Sequence, residues 1–102
     1  MRVNRVQYTT TAAFAPVNQA NIAGIMKEVK QLNHPGIKCG CWLLEDGKTF
    51  MHFDQFENEA AHDFLLSLAS FKKFDEELWA SGLEVDPVMI NPTLVASTEN
   101  YF

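Results

Sequence analysis

His52 and Asp54 stand two residues apart in TFMHFDQF, the run from Thr49 to Phe56. In an extended strand, residues i and i+2 share a face, so an imidazole and a carboxylate would sit side by side. An imidazole titrates near neutral pH and serves as a general base or orients a substrate, and a carboxylate beside it fixes its tautomer. The preceding apolar run carries Cys39 and Cys41. A thiol beside an imidazole is the minimal activated-nucleophile arrangement, although free cysteine also serves as a small buried hydrophobe. His52, Asp54 and Cys41 are therefore the catalytic candidates, and a packed, hydrogen-bonded histidine is the plainer role for His52.

These residues meet only if the two runs pair. They flank Glu45-Asp46-Gly47-Lys48, and Asp-Gly between β-like runs is a strong hairpin signal. With a two-residue turn at Asp46-Gly47, Leu44 pairs with Thr49, Cys41 falls opposite His52 and Cys39 opposite Asp54. A different loop would break this match. One face of the pair then carries Gly40, Trp42, Leu44, Met51 and Phe53. The other carries Ile37, Cys39, Cys41, Leu43, Phe50, His52, Asp54 and Phe56. The first is more uniformly apolar and is expected to meet the helices. The second is then expected to be covered by another copy of the chain, with Phe50, His52 and Cys41 lining the cleft between them.

The remaining elements follow from periodicity. Val3 to Thr11 is rich in β-branched residues and reads as a first strand, with Tyr8 a further hydroxyl for the site. Ile22, Ile25, Met26, Val29 and Leu32 recur at helical spacing, with Asn18 as the expected N-cap and His34-Pro35-Gly36 as the stop. Asn58 opens a second helix, expected over 59–81, with a kink at 67–70. Segments 88–90 and 93–96 form a last strand interrupted by Pro92, which suits an edge. His62 projects away from Phe64 and Leu68 and reads as a surface residue; His34 lies in a loop. The order is β-α-β-β-α-β, a single ferredoxin-like α+β domain over 1–102, its four-stranded antiparallel sheet covered by both helices on one face.

Composition bounds the partners. Eight basic residues against thirteen acidic ones give a net charge of −5, with no basic cluster for a nucleic-acid backbone or an anionic membrane. No apolar run reaches the ~20 residues of a membrane span. Met1 to Arg5 lacks the apolar stretch of a secretion signal, so a cytoplasmic location is expected. Cys39 and Cys41 are too close for an unstrained disulfide, and nothing else has zinc-ligand spacing. A domain of 102 residues with 12% aromatic side chains carries more apolar surface than a small core hides, which favours a homodimer.

Two stretches carry a family resemblance. NHPGIKCGCWLLEDGKTFMHF, from Asn33 to Phe53, resembles the helix-stop and strand-hairpin-strand core of dimeric α+β barrel proteins. EAAHDFLLSLASFKKFDEEL, from Glu59 to Leu78, is similar to their second helix. The nearest branches are the antibiotic biosynthesis monooxygenase-like and stress-responsive barrel domains. That resemblance implies a homodimer and a cofactor-free enzyme, a monooxygenase or isomerase type, acting on an apolar or aromatic small molecule in the barrel cleft. The other reading is a non-catalytic ligand-binding or stress-associated module. Asn4 matches a functional strand-one Asn of the haem-degrading branch and, with Phe50 and Tyr8, is a substrate-binding candidate. The chain departs from these relatives in having Phe56 where a Trp commonly closes the third strand. It has Leu65 where a helical His falls, and Phe74 and Asp75 where a haem ligand would lie.

No cofactor and no metal are therefore expected. Haem titration is expected to give no saturable Soret shift, and elemental analysis no stoichiometric zinc or iron; a one-to-one metal content would reverse this reading.

Overall fold

The computed structural model describes all residues from 1 to 102. The chain runs β1 (Arg2–Thr9), α1 (Ala15–Leu32), β2 (Ile37–Leu43), β3 (Thr49–Phe56), α2 (Glu59–Ser67), α3 (Ala69–Ala80) and β4 (Val85–Ile90). The sheet is antiparallel in the order β2-β3-β1-β4, the ferredoxin-like α+β arrangement.

The hairpin has the expected register: Cys41 pairs with His52, Cys39 with Asp54 and Gly40 with Phe53. Leu44 N–H donates to Thr49 O at 2.8 Å, and Gly47 N–H closes back on Leu44 O at 3.0 Å. Gly47 takes φ +74°, a left-handed conformation that glycine adopts without steric cost. The Asp46 carboxylate accepts from the Lys48 and Thr49 amides, so the turn also fixes where β3 begins.

The two faces are reversed from expectation. Phe50, His52 and Phe56 are buried beneath the helices with Tyr8 and Ile37. Trp42, 54% exposed, and Leu44 lie uncovered on the other side. The reason is β1, which pairs with both β3 and β4. Its register places Asn4, Val6 and Tyr8 in line with Asp54, His52 and Phe50, and Arg5, Gln7 and Thr9 in line with Phe53, Met51 and Thr49. Arg5 donates to Gln7 at 2.9 Å on the outer face. An arginine in a central strand cannot lie under a helical layer without a buried partner, so the helices take the opposite side.

Helix α1 begins before Asn18. Pro16 occupies its first turn, where a missing N–H costs nothing, and Thr11 Oγ1 accepts from the Phe14 amide at 3.2 Å. Asn18 lies inside the helix on the stripe shared with Ile22 and Ile25, and is fully buried. Asn33 ends the helix in the left-handed conformation, φ 51°, its amide bonded to Lys30 O and Val29 O.

The long second helix is two helices. Leu68 is extended at φ −69°, ψ 138° between α2 and α3, and Ser67 Oγ turns back onto Phe64 O at 2.6 Å. Strand β4 starts earlier than expected, at Val85, and ends at Ile90; segment 93–96 lies outside the sheet. Pro87 is accommodated because β4 is an edge. Asn58 caps α2 as expected, its side chain accepting from the Ala61 amide at 2.9 Å. Asn58→Ala is expected to lower stability by about 1 kcal/mol in urea unfolding; an unchanged midpoint would show that this cap contributes nothing.

Candidate functional site

The β1 and β3 residues facing the helices form one wall of a cavity of about 340 Å³. Asn4, Tyr8, His52 and Asp54 give that wall its polar groups. Leu65 of α2 and Phe71, Phe74 and Leu78 of α3 form the roof, and Trp79, Pro87 and Met89 also line it. A ligand site of this kind combines apolar walls with a few convergent polar groups. The break at Leu68 matters here, because it lets α3 leave the axis of α2 and bring Phe71 and Phe74 over His52. The His52 and Phe74 ring centroids are 5.6 Å apart.

His52 is held from behind by a buried chain of hydrogen bonds. Asn18 Nδ2 donates to Tyr8 Oη at 2.8 Å, and Tyr8 Oη lies 2.7 Å from His52 Nε2. The Tyr8 ring stacks on both Phe50 and His52, with centroids 5.6 and 5.4 Å away. Burial pushes the His52 imidazole down to about 4, so the ring is neutral at pH 7. Burial also raises the Tyr8 phenol, which stays protonated.

Asp54 behaves in the opposite sense. Burial raises its carboxyl to about 6, with the Cys39 thiol partly offsetting the rise. A carboxyl there is largely ionised at pH 7 yet still basic enough to take a proton. Asn4 lies directly across from it on β1. Asn4 Oδ1 accepts from Arg2 Nε at 3.0 Å and from Asn91 Nδ2 at 2.8 Å, which orients the amide and leaves Nδ2 without a protein partner.

His52, Asp54, Asn4 and Tyr8 thus converge on one cavity, while Cys41 and Phe50 do not line it. Cys41 pairs with His52 along the backbone, but its thiol borders a separate, more open groove of about 470 Å³ between α1 and β2. Its Sγ reaches Trp42 O at 3.9 Å, and burial, followed by the Asp54 charge, pushes it up to about 12. With His52 Nε2 already engaged by Tyr8, the geometry leaves Cys41 without an activating base. Phe50 acts behind the wall, as the platform for Tyr8.

His62 is not a surface residue. Its side chain is only 14% exposed, meets Phe56 edge-on at 4.9 Å and lines the cavity. Asn18, Phe74 and Asp75 are further parts of the site or its support that the sequence reading did not assign. None of them stood out: Asn18, inside α1 on its apolar stripe, reads from the sequence as a cap. No group of three or more His, Cys, Asp or Glu side chains is arranged to hold a metal ion.

The fold defines a class of protein. A βαββαβ chain with helices on one face of its sheet is the ferredoxin-like α+β domain, here with the architecture of the antibiotic biosynthesis monooxygenase-like proteins. One such solved structure, an antibiotic biosynthesis monooxygenase, superposes with a TM-score of 0.79 at 12% identity, covering 94% of this chain and 100% of its own. A candidate monooxygenase of the same name from Bacteroides thetaiotaomicron gives 0.80 at 14% identity, covering 97% and 93%. Another, from Nitrosomonas europaea, gives 0.79 at 8% identity, covering 94% and 100%. At these identities the likeness is one of fold. No family model and no curated protein matches the chain.

The two shifted groups make a pH prediction. His52 has a folded value near 4, below its ordinary 6.5, so its contribution to stability is present above 6.5 and is lost as pH falls toward 4. Asp54 has a folded value near 6, above its ordinary 3.8, so its contribution is present below 3.8 and is lost as pH rises through 6. The two slopes oppose each other over the same window. Asp54→Asn removes one of them, and its stability is expected to climb between pH 4 and 6.5 by on the order of 3 kcal/mol, more steeply than wild type. Parallel curves for the two proteins in urea unfolding would show that these groups are not shifted as described.

Proposed function

We propose that the chain is a small-molecule enzyme acting on an apolar or aromatic substrate in the cavity between sheet and helices, without a resident cofactor. One observation carries this reading: an Asp54 carboxyl raised to about 6 shares a predominantly apolar cavity with a neutral imidazole and a free amide. In the proposed step the Asp54 carboxylate takes an acidic proton from the substrate. The electron pair stays on the substrate, and the developing negative charge is met by hydrogen bonds from His52 and Asn4 Nδ2. Phe71, Phe74 and Leu65 exclude water and hold the apolar body. The resemblance to monooxygenase-like domains supports two outcomes for the resulting anion: oxygenation with dioxygen as the oxidant, or isomerisation by return of the proton at another carbon.

1-Naphthol serves as a first probe, an aromatic body with one ionisable oxygen. Saturable binding by calorimetry is expected, lost in Leu65→Trp, which fills the cavity. Once a turned-over substrate is found, Asp54→Asn is expected to retain binding within about threefold and to lower kcat by about a hundredfold, in the range of lost acid–base catalysis. Wild-type kcat is expected to rise as pH passes through about 6, as Asp54 ionises. Binding with no turnover of any bound compound would favour the ligand-binding module instead.

The same reading includes a homodimer through the open sheet face, where Trp42, Leu44, Val88 and Ile90 are exposed. The Trp42 ring lies against Gly40 and presents a flat apolar surface to solvent; a Cβ at Gly40 would come within 2.9 Å of it. Light scattering at micromolar concentration is expected to give twice the monomer mass, and Trp42→Glu about half of that. A wild-type monomer throughout that range would remove the dimer.

A further inference from the structure

We infer that Asn18, through Tyr8, sets the tautomer of His52, so that its Nδ1–H points a hydrogen-bond donor at the cavity. Asn18 is thereby a positioning residue and Tyr8 the link. The inference deepens the proposed use of the cavity and rests on it only for its consequence, since the tautomer itself is a property of the empty protein.

The argument is a count of protons along one buried chain. Tyr8 Oη has a single hydrogen and two close partners, Asn18 Nδ2 at 2.8 Å and His52 Nε2 at 2.7 Å. An amide nitrogen only donates. Tyr8 Oη therefore accepts from Asn18, and its own hydrogen is left for His52. His52 Nε2 must then be the acceptor nitrogen. In a neutral imidazole the other nitrogen, Nδ1, carries the proton.

The amide orientation on which this depends has its own physical support. Asn18 is fully buried, and its Oδ1 is a sealed polar atom with no hydrogen-bond partner. Turning the amide over would give Oδ1 the Tyr8 hydroxyl but would seal the NH2 group without an acceptor. Buried carbonyl oxygens tolerate under-satisfaction better than buried N–H groups do, so the orphaned oxygen is the cheaper state. The turned amide would also reverse the chain: Tyr8 would donate to Asn18 and accept from His52, leaving Nδ1 as an acceptor. One side chain thus decides whether the cavity meets a donor or an acceptor.

Nδ1 makes no hydrogen bond to protein, and Asn18 Oδ1 is the single sealed polar atom lacking a partner, so Nδ1 is open to the cavity that His52 lines. Asn4 Nδ2, in the same cavity and without a protein partner, is a second donor. The ligand class that fits presents an oxygen acceptor, a carbonyl or an oxyanion, to His52 and an apolar body to the roof. Ligands offering only donors leave Nδ1–H stranded.

Two-bond 1H–15N correlation spectra of the ligand-free wild type at pH 7 test the inference directly. The expected His52 pattern is the single Nδ1-protonated tautomer, the less common one for a free imidazole. A His52 protonated on Nε2, or averaging between the two forms, overturns the inference. Asn18→Leu, with the same branched heavy-atom skeleton, removes the donor and is expected to admit the Nε2-protonated form. A pure Nδ1–H tautomer in that variant removes Asn18 from the role. Asn18→Asp, which accepts from Tyr8 when ionised, is then expected to invert the tautomer, and the wild-type and leucine spectra decide the matter if it does not fold or is buried as the neutral acid. The readout needs no substrate, so a failure of the proposed enzymatic reading leaves it standing, and its failure leaves the cavity and Asp54 untouched.

Discussion

The hydrogen bond between Tyr8 and His52 joins the two central strands to the helical layer. Strand β1 supplies the phenol, strand β3 the imidazole, and Asn18 of α1 the third member, so three elements distant in sequence are fixed to one another by directional contacts. Apolar packing alone leaves a sheet and its helices free to slide by fractions of a residue. A buried polar chain does not, because any slip strands donors that no water reaches. The stacking of Tyr8 on Phe50 and the tilted contact of His52 with Phe74 are arranged around that chain. Apolar side chains of the inner layer pack around it.

That constraint also explains why a cavity persists where a small domain would gain by collapsing. The half-buried Asp54 carboxyl cannot be pressed against the apolar side chains of the roof without a desolvation cost. The roof therefore stands off from the wall. The extended Leu68 provides the offset, because a continuous helix from Glu59 to Ala80 would have to follow a single axis over the sheet. The local cause is modest: a serine hydroxyl that bonds back to its own helix, at a point where the next segment must turn.

Register was legible in the sequence, and facing was not. Asp-Gly with its flanking β-branched and aromatic runs determined which residue of β2 meets which residue of β3, and so placed His52 opposite Cys41. The choice of which face turns inward required the third strand. Judged on β2 and β3 alone, the face with Trp42 and Phe53 is the more apolar. Arg5 and Gln7 reverse that ranking once β1 lies beside β3. Asn18 was hidden for a related reason. An asparagine near a helix start reads as a cap, and only the earlier entry through Thr11 and Pro16 moves it one turn inward onto the buried stripe. Asp54 was visible as a neighbour of His52, but the rise of its carboxyl depends on the roof, which residue spacing does not specify.

The reversal of faces has a consequence for how the molecule divides its work. With His52 inside, the cavity is roofed by the chain's own helices, and the open sheet face is free of any duty toward it. Trp42, Val88 and Ile90 lie on the far side of the sheet from Asn4, Tyr8 and Asp54, separated by one layer of backbone. A copy docking on that face would touch the backs of the strands that carry the site, stiffening β1 and β3 without lending a side chain to the cavity. Substitutions on the two faces should then act independently on assembly and on ligand, as expected for residues with no shared partners. The central strands are the one place where the two could meet. Arg5 and Gln7 alternate along β1 with Asn4, Val6 and Tyr8, so a shift of that strand by a single residue would exchange the polar groups of the site for those of the outer face.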